Sequence, residues 1–229
     1  MNLDQKYPAL SDLRAAAKKR IPKFVWEYLI SATGSETTPV RNRRQLDKVL
    51  FMPSILHGDF EPDTSATLLG ERYPLPFGVA PVGMSGLIWP HAERKLATAA
   101  TAAGLPYTLS TVACQTPESI GPHVDGKGWF QLYAPRAIDV RKDTLKRVRD
   151  SGFRTLVVTL DVPVASRRER QTRSGLTHPP ALTPRLLAQI AMRPSWALGM
   201  ARAGRPGMPL IASYTQPKIG LPTTAHNGY

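Results

Sequence analysis

Apolar positions along the chain follow two different spacings. Over residues 11 to 32 they recur at helical intervals: Leu13, Ala16 and Ala17, then, after a restart at Pro22, Phe24, Val25, Tyr28 and Leu29. Ser11 is placed to cap the first of these helices. A shorter helix is expected over 42–51 through Leu46, Val49 and Leu50, ended by Pro53. From residue 76 short apolar runs take over. Strands are expected at 76–80, 106–110, 128–133 and 155–161. Between them lie helices around 91–103, 116–124 and 139–150, the first closed by Gly104 and the last by Gly152. Each strand-like run ends in polar or glycine residues, as in Val82-Gly83, Ser110-Thr111 and Gln131-Leu132-Tyr133.

Strands alternating with helices imply parallel pairing through right-handed crossovers. With polar residues at the strand C-termini, the pattern is that of an α/β protein of the TIM (β/α)8 barrel class, of which about four βα units are present. Three segments result: an N-terminal helical segment (1–75), the first half of a barrel (76–161), and a basic, proline-rich segment (162–229) with an amphipathic helix. Within the last, 183–202 carries Leu186, Leu187, Ile190, Trp196 and Leu198, broken at Pro194. Residues 203–229, with Pro206, Pro209, Pro217 and Pro222, read as an extended loop.

Charge adds one constraint. Thirty Lys and Arg against 17 Asp and Glu give a formal net charge of +13. The clusters at Lys18-Lys19-Arg20, 41–44, 141–149 and 167–173 lack interleaved aromatics, so the expected partner is an anionic membrane or substrate, with no nucleic acid. No apolar run reaches the roughly 18 residues of a membrane span. The N-terminus lacks a signal-peptide pattern. Cys114 is the single cysteine, which excludes an intrachain disulfide. These features lead to the expectation of a cytoplasmic protein, peripheral at the inner face of the cell membrane. His57, His91, His123, His178 and His226 show no metal-ligand spacing, and Cys114 reads as a packed thiol. There is no P-loop and no GxGxxG.

Six stretches occur in an order and spacing that resemble the FMN-dependent α-hydroxy-acid dehydrogenases and oxidases. They are Pro22-Lys23-Phe24-Val25-Trp26-Glu27-Tyr28, Ala80-Pro81-Val82-Gly83, Leu109-Ser110-Thr111, Phe130-Gln131-Leu132-Tyr133, Thr159-Leu160-Asp161-Val162-Pro163 and Arg167-Arg168. The likeness runs from about Tyr7 to about Pro180 and corresponds to the N-terminal half of that family, which includes glycolate oxidase, L-lactate dehydrogenase and mandelate dehydrogenase. It implies a TIM barrel with FMN at its C-terminal mouth. The implied reaction is oxidation of an L-2-hydroxy acid, L-lactate foremost, to the 2-keto acid, with electrons passed to an acceptor such as quinone.

The resemblance also assigns residues. Ala80, Pro81, Val82 and Gly83 would lie with their backbone against the flavin, Gly83 permitting close approach; a simple βα turn is the competing reading. Glycine at this place leans toward a dehydrogenase that reacts poorly with oxygen. Ser110, Gln131 and Thr159 would hydrogen-bond the flavin ring, or merely satisfy strand ends. Tyr28 and Tyr133 would meet the substrate, one at its carboxylate and one near its hydroxyl; a core tyrosine is the alternative. Arg168 would swing over the substrate carboxylate, since its planar fork matches a carboxylate. Arg167, Arg170 and Arg173 read as a solvated face. Asp161 is either near the flavin or an ion-pair partner of Arg167 or Arg168.

In the family, the catalytic histidine, the substrate-anchoring arginine, the lysine that stabilises reduced flavin and the phosphate site come from the second half of the barrel, beyond Tyr229. The chain would then be a fragment of a longer enzyme, half of a split enzyme, or a truncated product, and its activity alone is in doubt. The full-length form would be a homo-oligomer. A different function class stays open beside these: a non-catalytic basic module that binds a membrane or a partner chain.

Overall fold

The computed structural model describes residues 2–160, 166–176 and 182–215. In chain order the elements are α1 (Leu3–Lys6), α2 (Leu10–Arg20), α3 (Lys23–Ile30), α4 (Thr37–Leu46), β1 (Ala66–Leu68), β2 (Glu71–Tyr73), α5 (Ser85–Ile88) and α6 (Ala92–Ala102). They continue with β3 (Thr108–Ser110), α7 (Pro117–Ile120), β4 (Gly128–Leu132), α8 (Ile138–Asp150), β5 (Phe153–Val158), α9 (Glu169–Ser174), α10 (Pro184–Ala191), α11 (Pro194–Ala203) and α12 (Pro209–Thr215). Two compact units result: Met1–Asp63 with Val164–Leu198, and Thr64–Pro163 with Gly199–Tyr229.

The first unit is helical. Helix α3 restarts after Pro22, whose fixed φ suits a helix entry. It buries Phe24, Val25 and Trp26. Phe24 meets Trp196 edge to face at 5.9 Å. Gln189 joins α3 to α9: its Oε1 accepts from Phe24 N–H at 2.9 Å, and its Nε2 donates to the Ser174 carbonyl at 3.0 Å. That is a buried amide with both ends satisfied, as burial requires. The expected stripe is partly revised, because Trp26 is buried where Leu29 is exposed. Two further expectations fail. Ser11 does not cap α2; the helix begins at Leu10, and the Asp12 carboxylate instead accepts from Ala9 N–H at 3.0 Å. The helix placed at 42–51 runs from Thr37 to Leu46, leaving Val49 and Leu50 exposed. Helical spacing without a surface to bury against does not sustain a helix.

The second unit holds the α/β core. Strands β3, β4 and β5 form a parallel sheet in that order, with Ser110 opposite Gln131 and Gln131 opposite Val157. Helix α8 makes the crossover between β4 and β5. Leu109, Ile120, Phe130, Ala97 and Ala100 fill the core, and Phe130 packs edge to face on Phe153 at 6.1 Å. The strand expected at 76–80 shrinks to one parallel bridge, Val79 to Tyr107. Pro76 and Pro81 flank it and offer no N–H to a ladder. Its two bonds are Val79 N–H to the Pro106 carbonyl and Thr108 N–H to the Val79 carbonyl, 2.9 and 3.0 Å.

Several elements were not anticipated, among them a hairpin and a late helix. A hairpin pairs β1 with β2 around Leu69 and Gly70, both at positive φ, as a tight two-residue turn demands. Helix α12 occupies part of the stretch read as an extended loop. Pro209 opens it, where a missing N–H costs nothing, and Leu210 is buried. β5 and the residues just after it expose Leu156, Val158 and Leu160 at 42%, 44% and 90%. Parallel strands are normally covered on both faces, so this sheet is an unclosed part of a barrel.

Candidate functional site

The parallel strands carry a row of polar side chains near their C-terminal ends. Ser110 Oγ donates to Gln131 Oε1 at 3.0 Å, and Gln131 Nε2 donates to Thr159 Oγ1 at 2.8 Å. The row crosses β3, β4 and the residue following β5. Ser110 and Gln131 are buried; Thr159 is half-buried. Register is the cause: Ser110 and Gln131 are direct partners in the ladder.

Thr111 completes the row. Its hydroxyl donates to the Gln131 carbonyl at 2.6 Å and accepts from Tyr133 N–H at 3.1 Å. Thr111 thereby fixes the backbone of half-buried Tyr133. The sequence reading placed Thr111 in a motif without a role; its position one residue beyond Ser110 was the available signal.

Val79 leads into Ala80, Pro81 and Val82, all exposed, and half-buried Gly83. Met84, at φ +50°, then enters α5 and donates its N–H to the Val112 carbonyl at 2.8 Å. The loop after Val79 and the loop after β3 are therefore bonded to each other.

A further residue was missed entirely. Glu93 on α6 is fully buried, and its Oε1 accepts from the N–H groups of Gly86 and Cys114, both at 2.9 Å. The signal was present: Glu93, Ala97 and Ala100 fall on one helical face, and all three are buried. Beside it, burial first and the Glu93 carboxylate second push the half-buried Cys114 thiol up to about 11. The same two causes raise Tyr107.

Tyr28 and Arg168 belong to the first unit. Tyr28 is half-buried on α3, and Arg168 is exposed at the start of α9. Arg170 corrects the expectation of a solvated face: its Nη2 lies 2.6 Å from Glu27 Oε2 and its Nη1 donates to Glu36 Oε2 at 2.8 Å. Asp161, Val162, Pro163 and His178 lie outside the described residues. A surface concavity of about 460 Å³ lined by Glu118, Gly121, Pro122, Arg147, Asp150 and Ser151 is separate from the polar row in its residues, and its Arg147 is paired with Glu118 at 2.6 Å. Among the described residues no helix is long and apolar enough to cross a membrane, and no group of His, Cys, Asp and Glu could hold a metal ion.

The donor set suits a flat heteroaromatic ring. Hydroxyl and carboxamide groups in one row can exchange hydrogen bonds with ring nitrogens and carbonyls. That is the test a flavin must pass here, and these residues fit it.

Comparison with known proteins agrees with this chemistry. Residues 17–223 match the FMN-dependent dehydrogenase family. The chain is 35% identical over 212 residues to an L-lactate dehydrogenase of Xanthobacter autotrophicus, covering 92% of this chain and 54% of that one. It superposes on the monotopic membrane protein (S)-mandelate dehydrogenase with a TM-score of 0.81 at 29% identity, over 89% of this chain and 57% of the other. A mandelate oxidase variant bearing an FMN adduct gives a TM-score of 0.67 at 35% identity, over 76% and 51%. The chain spans about half the length of the curated relatives it matches. With its parallel strands, polar row and family match over most of its length, the chain belongs to the FMN-dependent dehydrogenase family.

Proposed function

We propose that this chain supplies the flavin-facing half of an enzyme that oxidises an L-2-hydroxy acid to the 2-keto acid. The observation that carries this reading is the hydrogen-bonded row Ser110–Gln131–Thr159 at the ends of parallel strands. FMN, when bound, accepts the two electrons removed from the substrate. Ser110, Gln131 and Thr159 would hold the ring by its polar edge. The backbone of Ala80, Pro81, Val82 and Gly83 would lie against it, with no bulky side chain at Gly83 to keep it away.

Tyr133 and Tyr28 would orient the substrate through phenol groups that donate or accept. Arg168 would pair with the substrate carboxylate through its planar fork. Lactate and mandelate are both candidates: the matched relative in sequence is an L-lactate dehydrogenase, and the matched structures act on mandelate by name. L-lactate, with a quinone as acceptor, is our preferred reading. The test is anaerobic addition of L-lactate or (S)-mandelate to the FMN-loaded protein while visible flavin absorbance is followed. Bleaching by one acid and not the other identifies the substrate; no bleaching by either rejects catalysis by this chain alone.

A second observation supports association with an anionic membrane surface. Helix α10 and its flanks expose Leu182, Leu187 and Met192 while burying Leu186 and Gln189. Arg185 lies among them. Exposed apolar groups beside cationic ones suit an interfacial helix, and one structural relative is described as monotopic.

A further inference from the structure

We infer that Glu93 is a positioning residue for the flavin mouth, locking the loop after Val79 to the loop after β3; the inference rests on the proposed flavin reading. Its Oε1 is the common acceptor for Gly86 N–H and Cys114 N–H. Gly86 follows the Ala80–Gly83 stretch by three residues, and Cys114 follows Ser110 by four. One carboxylate oxygen therefore ties together the two segments that would face the ring.

The surroundings leave little slack. A Cβ on Gly86 would stand 2.6 Å from Cys114 Cβ and 3.1 Å from Glu93 Oε2, so the two loops are in direct contact at this point. The Met84 N–H to Val112 carbonyl bond at 2.8 Å adds a second tie between the same loops. Glu93 itself is wholly buried, and its Oε2 has no hydrogen-bond partner among the described residues. A carboxylate taken out of water and held by only one of its oxygens is costly to maintain. Packing alone would be served by an apolar side chain on this alanine-rich face. What an apolar residue cannot do is accept from two backbone N–H groups, one in the first turn of α5 and one in the loop after β3.

The function of the lock is reach. A glutamate spans from α6 to both amides; an aspartate, one methylene shorter, does not. A glutamine keeps the accepting oxygen, loses the charge and puts an amide NH2 where Oε2 stands. The pair of conservative variants thus separates position from charge.

The experiment measures FMN affinity by quenching of flavin fluorescence on wild type, Glu93→Asp and Glu93→Gln. Exchange of the Gly86 and Cys114 amide protons is followed in parallel. The expected result is FMN binding about tenfold weaker in Glu93→Asp and within a factor of about three of wild type in Glu93→Gln. The two amides are expected to be protected in wild type and Glu93→Gln and to exchange quickly in Glu93→Asp. Equal FMN affinity in all three proteins overturns the inference, as does an aspartate variant that binds better than the glutamine variant. If Glu93→Asp does not fold, the glutamine variant decides: weakened binding with folded secondary structure overturns the inference, and retained binding supports it. A wild-type protein that binds no FMN rejects the flavin reading instead, and is distinguished by protected amides without quenching.

Discussion

Gln131 receives the Ser110 hydroxyl at 3.0 Å through its carbonyl oxygen and gives its amide to Thr159 at 2.8 Å, so one side chain joins three successive strand ends. Its Oε1 also lies 3.3 Å from Thr111 N–H. Replacing Gln131 by alanine takes the acceptor from the buried Ser110 hydroxyl and the donor from half-buried Thr159. We expect a loss of about 1–3 kcal/mol in stability. FMN affinity should fall with it, because Ser110 and Thr159 lose their common anchor. Thermal denaturation with and without FMN checks both, and an unchanged ligand-induced stabilisation would contradict the assignment.

Glu36 predicts a pH dependence in the first unit. The Ala32 N–H first, and the Arg170 side chain second, hold its carboxyl below the ordinary carboxylate range. A depressed carboxylate stabilises the fold above the unfolded pKa, and that contribution disappears as pH falls through the lower folded value. The wild-type melting temperature should therefore drop as pH falls through and below the ordinary carboxylate range, and Glu36→Gln should flatten that part of the curve. Melting curves across this range test it; identical slopes for the two proteins would refute it.

Cys114 should be a slow thiol. With its pKa pushed up to about 11, almost none is thiolate near neutrality. Alkylation by iodoacetamide is expected to be slow in the folded protein and to accelerate on denaturation. Glu93→Gln removes the secondary cause and should raise the folded rate moderately. Rapid labelling of folded wild type at neutral pH would contradict this environment.

Leu187 tests the membrane reading. Wild type is expected to pellet with anionic vesicles at low salt and to keep part of that binding at high salt, where surface charge is screened. Leu187→Glu should lose the salt-resistant part, since the side chain is half exposed and its replacement does not empty the core. Complete release of wild type by salt would reduce the interaction to electrostatics.

The polar residues were legible because Ser110 ends β3 and Gln131 lies one residue before the end of β4, and parallel register then sets them side by side. Val79 was over-read as a full strand: its apolar neighbours signalled one, but Pro76 and Pro81 leave room for a single bridge. Helix α12 was hidden by Pro209, read as a breaker although proline is also a helix starter. Its anchor is tertiary: Tyr214 donates its hydroxyl to Asp143 at 2.6 Å. Arg170 looked like one member of a cationic run because its partners, Glu27 and Glu36, lie more than 130 positions earlier in the chain. Glu93 was passed over for a different reason. A charged residue at the start of a helix reads as solvated, although its spacing from Ala97 and Ala100 places it on the buried face.

The most direct test of the central claim is FMN retention. The 229-residue chain is incubated with FMN, desalted, and its visible absorption spectrum recorded. We predict that a flavin spectrum travels with the protein, and that Gln131→Ala reduces it. A colourless wild-type protein that is folded by circular dichroism would contradict the claim that this chain carries the flavin-holding face.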